Sequence, residues 1–185
     1  MNSIIELKRK DGKLIKAKFK ILDMKYLEKI LALQDMVLGG LPHKDICAPT
    51  YDYEFEDYIM NKGKLVGCVT LEENELIAMG AYAKLGYHEN NYGYDIKLQG
   101  EELLKVGQLE STLVREDFRG NKLQRIICEL LENIGRECET PIICATVAPE
   151  NIYSLNTFKK LGYTVANEKE KYGGLRRYIL VKKLY

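Results

Sequence analysis

At 185 residues the chain is long enough to bury an ordinary core without disulfides, and no composition shift or Ser/Pro-rich linker divides it, so a single domain over 1–185 is expected. With 28 basic residues against 27 acidic ones the net charge is +1, and bulk electrostatics select neither nucleic acid nor a membrane surface as partner. No apolar run could span a bilayer or resembles a signal peptide, which makes a cytoplasmic location the expectation; five cysteines without a Cys-x-x-Cys pair, and only two histidines, speak against disulfides, a metal site or a Ser-His-Asp triad.

Ser3 to Arg9 and Leu14 to Leu22 read as strands around Asp11-Gly12, a two-residue hairpin turn. The basic residues crowded there, from Lys8 to Lys20, are accounted for by a solvated hairpin face. Asp23 can cap a helix running to Leu38, which Gly39-Gly40 and Pro42 end. A shorter helix is expected over Glu54 to Asn61. Just before and within it, Tyr51 to Tyr58 interleaves four acids with four aromatics. Such a surface would attract a cationic amine, while a plain amphipathic helix would bury Tyr51, Phe55 and Tyr58 or Ile59. Lys64 to Leu71 and Leu76 to Lys84 form a second hairpin, and Tyr87 to Tyr92 is a second loop that could wall a substrate site. Cys68 lies in an apolar strand and reads as a small buried hydrophobe, as does Cys144, while Cys47 lies in a loop.

Gln108 to Val114 is a strand that enters a short turn carrying Arg119-Gly120-Asn121. Beyond it Leu123, Ile126, Ile127, Leu130, Leu131 and Ile134 recur at helical spacing, so a helix begins within a residue or two of Asn121. Its first amides lack intrahelical partners, and Arg119, Lys122 and Arg125 add formal charge to the positive end of the helix dipole. The turn therefore reads as a phosphate cradle, with an ordinary strand-to-helix turn as the alternative. The glycine patterns of a P-loop and of a dinucleotide fold are both absent. Ile142 to Val147 follows as a buried strand and Asn151 to Leu161 as a helix with the stripe Ile152, Leu155, Phe158 and Leu161, closed by Gly162. Thr164 to about Tyr172 and Arg176 to Lys183 are the last strands, turning at Gly173-Gly174.

Arg119 to Gln124 resembles the pyrophosphate loop R/Q-x-x-G-x-G/A of the GNAT N-acetyltransferase superfamily, although Lys122 and Gln124 stand where that family usually has Gly and Gly or Ala. Val147 to Tyr163 is similar to the same family's strand, Asn-bearing turn and helix ending in Leu-Gly-aromatic, in the same order and at the family's separation. The resemblance extends over nearly the whole chain. It implies a mixed α/β fold, the GNAT acyl-CoA N-acyltransferase fold, with a central mixed, largely antiparallel twisted sheet flanked by helices. Residues 1–12 would then be an added N-terminal hairpin strand.

The activity implied is transfer of an acetyl group from acetyl-CoA, without a metal, to a primary amine that attacks the thioester directly in a ternary complex. By the resemblance, the amides of Gly120, Asn121, Lys122, Leu123 and Gln124, with Arg119 and Arg125, would hold the pyrophosphate, the Lys122 and Gln124 side chains pointing outward. Leu113 and Val114 would offer the pantetheine arm a backbone edge, and Asn151 and Ser154 would complete the cofactor contacts. Glu110 is the first choice for the base. Strand alternation would put Glu110, Thr112 and Val114 on one face and Ser111 on the other, and burial between splayed strands would raise its pKa toward neutrality. The family's acid, a Tyr seven residues after the turn Asn, is replaced by Phe158. Tyr153, Tyr163 and Ser154 are the nearby hydroxyls; otherwise the thiolate leaves unassisted or a water serves. The expected acceptor is a small-molecule or peptide amine, not nucleic acid, and homodimerisation stays open. Phe158 and the two missing glycines also motivate an alternative, an acyl-CoA binding or sensing domain with impaired turnover, and the basic hairpin a third reading as a nucleic-acid module.

Overall fold

A computed structural model describes residues 3–185, so the first two residues of the expected 1–12 extension lie outside it. Strands β1 (Ile4–Lys8) and β2 (Leu14–Leu22) pair antiparallel. Their connection is not the two-residue turn expected. Arg9 N–H donates to the Lys13 carbonyl and Gly12 N–H to the Arg9 carbonyl, each at 2.9 Å, with Gly12 at φ +88°. A tight turn followed by one left-handed residue keeps the right-handed twist of the two strands, so the loop takes three residues and Gly12 supplies the left-handed one.

Asp23 accepts a hydrogen bond from Lys25 N–H at 3.0 Å and caps a short 3-10 turn that leads into α1 (Leu27–Gly39). Helix α2 (Asp52–Asp57) runs on into a wider turn over Tyr58–Lys62. Strands β3 (Gly63–Thr70) and β4 (Leu76–Ala83) form the second hairpin. Between Lys84 and Lys105 the sequence marks only loop, yet the segment is tied down by Asn91. Its amide donates to the carbonyls of Gly86 at 2.6 Å and Leu103 at 3.1 Å and accepts from Gly93 N–H at 2.8 Å. Strand β5 (Val106–Val114), α3 (Leu123–Glu137), β6 (Ile142–Val147), α4 (Ile152–Lys160), β7 (Thr164–Lys171) and β8 (Leu175–Lys183) complete the chain.

The eight strands form one sheet in the order β1-β2-β3-β4-β5-β6-β8-β7, antiparallel except for β5 and β6. A parallel pair needs a crossover, and α3 provides it. Helices α3 and α4 cover one face through Leu123, Ile127, Leu131, Leu155 and Phe158. On the other face α1 and α2 bury Ile30, Leu33 and Phe55 against Leu65, Met79 and Leu113. Where α3 crosses β4 the approach is close: a Cβ at Gly80 would stand 2.7 Å from Ile127 Cγ2.

Two irregularities in β5 open the sheet at its middle. Pairing with β6 stops at Leu109 opposite Ala145, so the rest of β5 has no partner on that side. Along β4, Ala81 pairs with Glu110 and Met79 with Leu113, which leaves Gly80 facing both Ser111 and Thr112. Ser111 is the extra residue of a β-bulge, at φ +48°. The expected alternation therefore fails. The Ser111 hydroxyl bonds to that of Thr50, on the α1–α2 face, while Thr112 meets Gln124 of α3 on the opposite face. Glu110 and Ser111 thus share one face, and Thr112 and Val114 the other, because one left-handed residue shifts the strand's phase. Among the described residues no helix is long and apolar enough to cross a membrane.

Candidate active site

The turn between β5 and α3 is anchored by Phe118, which is buried in the core, and by Arg115, whose guanidinium bonds Asp117 at 2.8 Å and Glu75 at 3.0 Å. Gly120 follows at φ +93°, with nothing within 4 Å of where a Cβ would stand. Lys122, itself at φ +60°, precedes α3 and gives it no side-chain cap. The first amide of that helix to find a backbone carbonyl is Ile126 N–H, bonded to Lys122 O at 3.1 Å. The helix start thus presents uncapped donors beside open space, flanked by exposed Arg119, Lys122 and Arg125, which suits an extended diphosphate. Arg125 also pairs with Glu129 at 2.9 Å.

Asn121 has a second task. Its side chain accepts from Lys8 N–H at 3.0 Å and donates to the carbonyls of Lys8 at 2.8 Å and Phe118 at 2.9 Å, so only its backbone amide remains for a ligand. Leu123 likewise offers an amide, its side chain being buried in the core. Lys122 points into solvent as expected, but Gln124 does not. Its Nε2 donates to Ser154 Oγ at 2.8 Å and lies 3.3 Å from Thr112 Oγ1, bridging β5 to α4, because two buried-side hydroxyls complement an amide that can reach them.

Arg115 N–H donates to Ile77 O on β4 at 2.9 Å. Alternation along an antiparallel pair then directs the backbone groups of Leu113 to β4 and those of Val114 away from it, toward the open side of β5. Val114 therefore supplies the free edge, and Leu113 packs its side chain among α1 residues. Across the opening, Asn151 caps α4 by accepting from Ser154 N–H at 3.2 Å.

The divergence of β5 and β6 contributes to a cavity of about 410 Å³ whose wall includes Glu110, Cys47, Glu54, Tyr172, Arg177 and Phe158. Glu110 occupies the last regular position before the bulge, half-buried. Gln108 Nε2 donates to its Oε1 at 2.6 Å, and Gln108 Oε1 accepts from Tyr92 N–H at 3.1 Å, so one amide orients both neighbours. Burial is the main influence on the Glu110 carboxyl and lifts its pKa to about 7, with hydrogen bonds from Tyr92 and Gln108 opposing the rise. The hydroxyls of Tyr92 and Tyr172 bond to one another, and Tyr172 also bonds Thr146 Oγ1 at 3.0 Å. Burial, then the Glu110 charge, push the Tyr172 phenol well above its ordinary pKa, so it stays protonated.

The hydroxyls weighed from sequence lie elsewhere. Tyr153 is 89% exposed, and Tyr163 is buried edge-to-face against Phe158 with ring centres 5.0 Å apart. Ser154 accepts from Gln124. Tyr51 was expected inside and is 59% exposed, stacked on Tyr53 with centroids 5.5 Å apart, because α2 starts only at Asp52 and leaves Tyr51 on the rim; Phe55 and Tyr58 are buried as expected. Cys47 is half-buried, and burial raises its thiol pKa. Among the described residues no group of His, Cys, Asp or Glu side chains is placed to hold a metal ion. Tyr92, Tyr172 and Arg177 are cavity residues that sequence reasoning did not single out. The available signals were Tyr92 at the end of the flagged loop, Tyr172 beside the Gly173-Gly174 turn, and an arginine in phase with Ile179 and Val181.

A family model described as the acetyltransferase (GNAT) family matches residues 38–163. A search of curated proteins finds no match in sequence. Among solved structures, the chain is similar to an N-acetyltransferase from Staphylococcus aureus Mu50, with a TM-score of 0.69 and 14% identity over 91% of this chain and 99% of that one. It is also similar to an acetyltransferase of the GNAT family from Streptococcus pneumoniae, with a TM-score of 0.67 and 12% identity over 90% and 98% of the two chains. The ribosomal-protein-S18-alanine N-acetyltransferase from Escherichia coli gives a TM-score of 0.66 and 12% identity over 91% and 94%. At such identities the likeness is one of fold.

Proposed function

The chain belongs to the acetyltransferase (GNAT) family, and from that premise we propose that it transfers an acetyl group from acetyl-CoA directly to a primary amine, with Glu110 as the base. The observation that carries this reading is the Glu110 carboxyl, with a pKa near 7, where β5 parts from β6. A base tuned close to the working pH is both substantially ionised and willing to hold a proton. In the proposed step Glu110 takes one proton from the ammonium, the freed amine nitrogen forms a bond to the thioester carbonyl carbon, the carbon–sulfur bond breaks, and the second nitrogen proton is lost to water. The electron pair of the broken bond leaves with the thiolate. Phe158 has no proton to give, so the sulfur departs unassisted or takes a proton from water.

Support for cofactor binding comes from the uncapped start of α3, the space around Gly120 and the free edge at Val114. Arg119 would add charge-assisted bonds to the phosphates, and Gln124 would share the opening with the pantetheine arm. The test is a panel of amines incubated with acetyl-CoA and scored for CoA-thiol release together with N-acetylated product. Release matched mole for mole by product with at least one amine is expected. If CoA binds while the whole panel gives no release above hydrolysis, the impaired-turnover reading replaces this one.

A further inference from the structure

Arg177 lies on β8, on the sheet face shared with Ile179, and belongs to the wall of the cavity that holds Glu110. It is 3% exposed. Its Nη1 donates to the Arg176 carbonyl at 2.8 Å, and the Tyr172 ring centre lies 5.7 Å from the guanidinium carbon. Its Nη2 is buried without an acceptor, and among the described residues its charge enters no ion pair. The other cation of the cavity, Lys171, does have a carboxylate partner, Asp95 at 2.6 Å, which it shares with Lys169 at 2.7 Å. A guanidinium held out of water without a counter-ion is unfavourable unless something supplies the missing charge.

The cavity is therefore polarised. Glu110 and Glu54 stand in its wall as acids, and Arg177 as an unpaired cation. Tyr172 lies near both poles, its phenol pKa raised first by burial and then by the Glu110 charge, with a smaller opposing effect from Arg177. Resting on the transfer reading above, we propose that Arg177 binds the carboxylate of the acceptor, so that the substrate is an amino acid or similar amino carboxylate whose amino group faces Glu110. A planar fork of N–H donors matches a carboxylate in two parallel bonds, and the low-dielectric wall strengthens the pair.

The test compares amino acids with the amines that lack their carboxylate, with their amides and with aminophosphonates, in the wild type and in Arg177→Gln and Arg177→Lys. Thiol release gives kcat and KM, and calorimetry with free CoA present gives binding of the same compounds without turnover. In the wild type the carboxylate should be worth roughly 10- to 100-fold in kcat/KM, expressed mainly in KM. Arg177→Gln should reduce that preference to within about threefold, and Arg177→Lys should retain part of it. Because the group removed is an unpaired buried charge, the melting temperature of Arg177→Gln should not fall. Amines and amino acids acetylated equally well by the wild type would overturn the proposal and leave the transfer reading intact. Without any turnover, carboxylate-dependent binding that Arg177→Gln abolishes would still support the assignment, whereas no such binding would end it. A preference for aminophosphonates would assign the pole to a phosphoryl group instead and overturn the carboxylate.

Discussion

Replacing Glu110 by glutamine keeps the shape of the side chain and its bond from Gln108 but removes its ability to take a proton. With a pKa near 7, ordinarily 4.5, the carboxyl is about half ionised at neutral pH. The ionised fraction, and with it the base-dependent rate, should rise about tenfold between pH 6 and pH 8. Glu110→Gln should lower turnover by roughly 10² to 10⁴ and abolish that limb while CoA affinity stays nearly unchanged. Comparing the two proteins with one acceptor cancels the titration of the amine itself. Stability provides an independent readout. Because the folded pKa is raised, the native state keeps its proton between pH 4.5 and pH 7, where the unfolded chain has released it, so stability falls as pH rises through that window. Above it the ionised native form carries a penalty of about 3 kcal/mol, which glutamine removes. At pH 8.5 the variant should melt roughly 6 to 12 °C above the wild type, taking about 2 to 4 °C per kcal/mol, and at pH 4.5 the two should coincide. A wild-type rate that is flat from pH 6 to pH 8, or a variant with turnover within about threefold and the same melting curve at both pH values, would refute the assignment.

Acetyl-CoA and free CoA should each stabilise the fold by about 2.7 kcal/mol at 100 times the dissociation constant, a rise of roughly 5 to 11 °C in melting temperature. Arg119→Glu should remove most of that shift, and an unmoved melting curve in millimolar CoA, with nothing seen by calorimetry, would reduce the α3 turn to a solvated loop. Phe158→Ala should cost about 3 to 5 kcal/mol in chemical denaturation, since the ring is 2% exposed and packs on Tyr163. A mild loss of stability with a collapse of activity would instead put the ring on the reacting atoms.

Local signals in the sequence locate most elements. The apolar spacing of Leu123 to Ile134 gives α3, Gly162 marks the end of α4, and Asp23 caps the entry to α1. Glu110 could be offered as the base because it lies four residues before Val114 on the strand that enters the turn before α3. What stayed hidden is long-range. A bulge at Ser111 carries no Gly or Asn to announce it, so the alternation rule assigned Thr112 to the wrong face. The loop length at Asp11-Gly12 depends on hydrogen bonds between Arg9 and Lys13 that the turn pair does not specify. Tyr92, Tyr172 and Arg177 come from segments up to 85 residues apart in the chain and meet only because β8 lies beside β6 while the Asn91 loop folds over it.

The extra residue at Ser111 resembles a dislocation in a two-dimensional lattice: one row has gained a member and its neighbour has not. In a crystal such a defect lets two well-ordered blocks tilt apart while the mismatch stays confined to a line. Here the extra member lies in β5 relative to β4, and on the other side of β5, beyond Leu109, a gap separates the strands up to β5 from the group β6-β8-β7. Paired strands thus stand on both sides of an aperture, and the left-handed backbone of a single serine, two residues past the last β5–β6 pair, re-aims the strand that forms one of its lips.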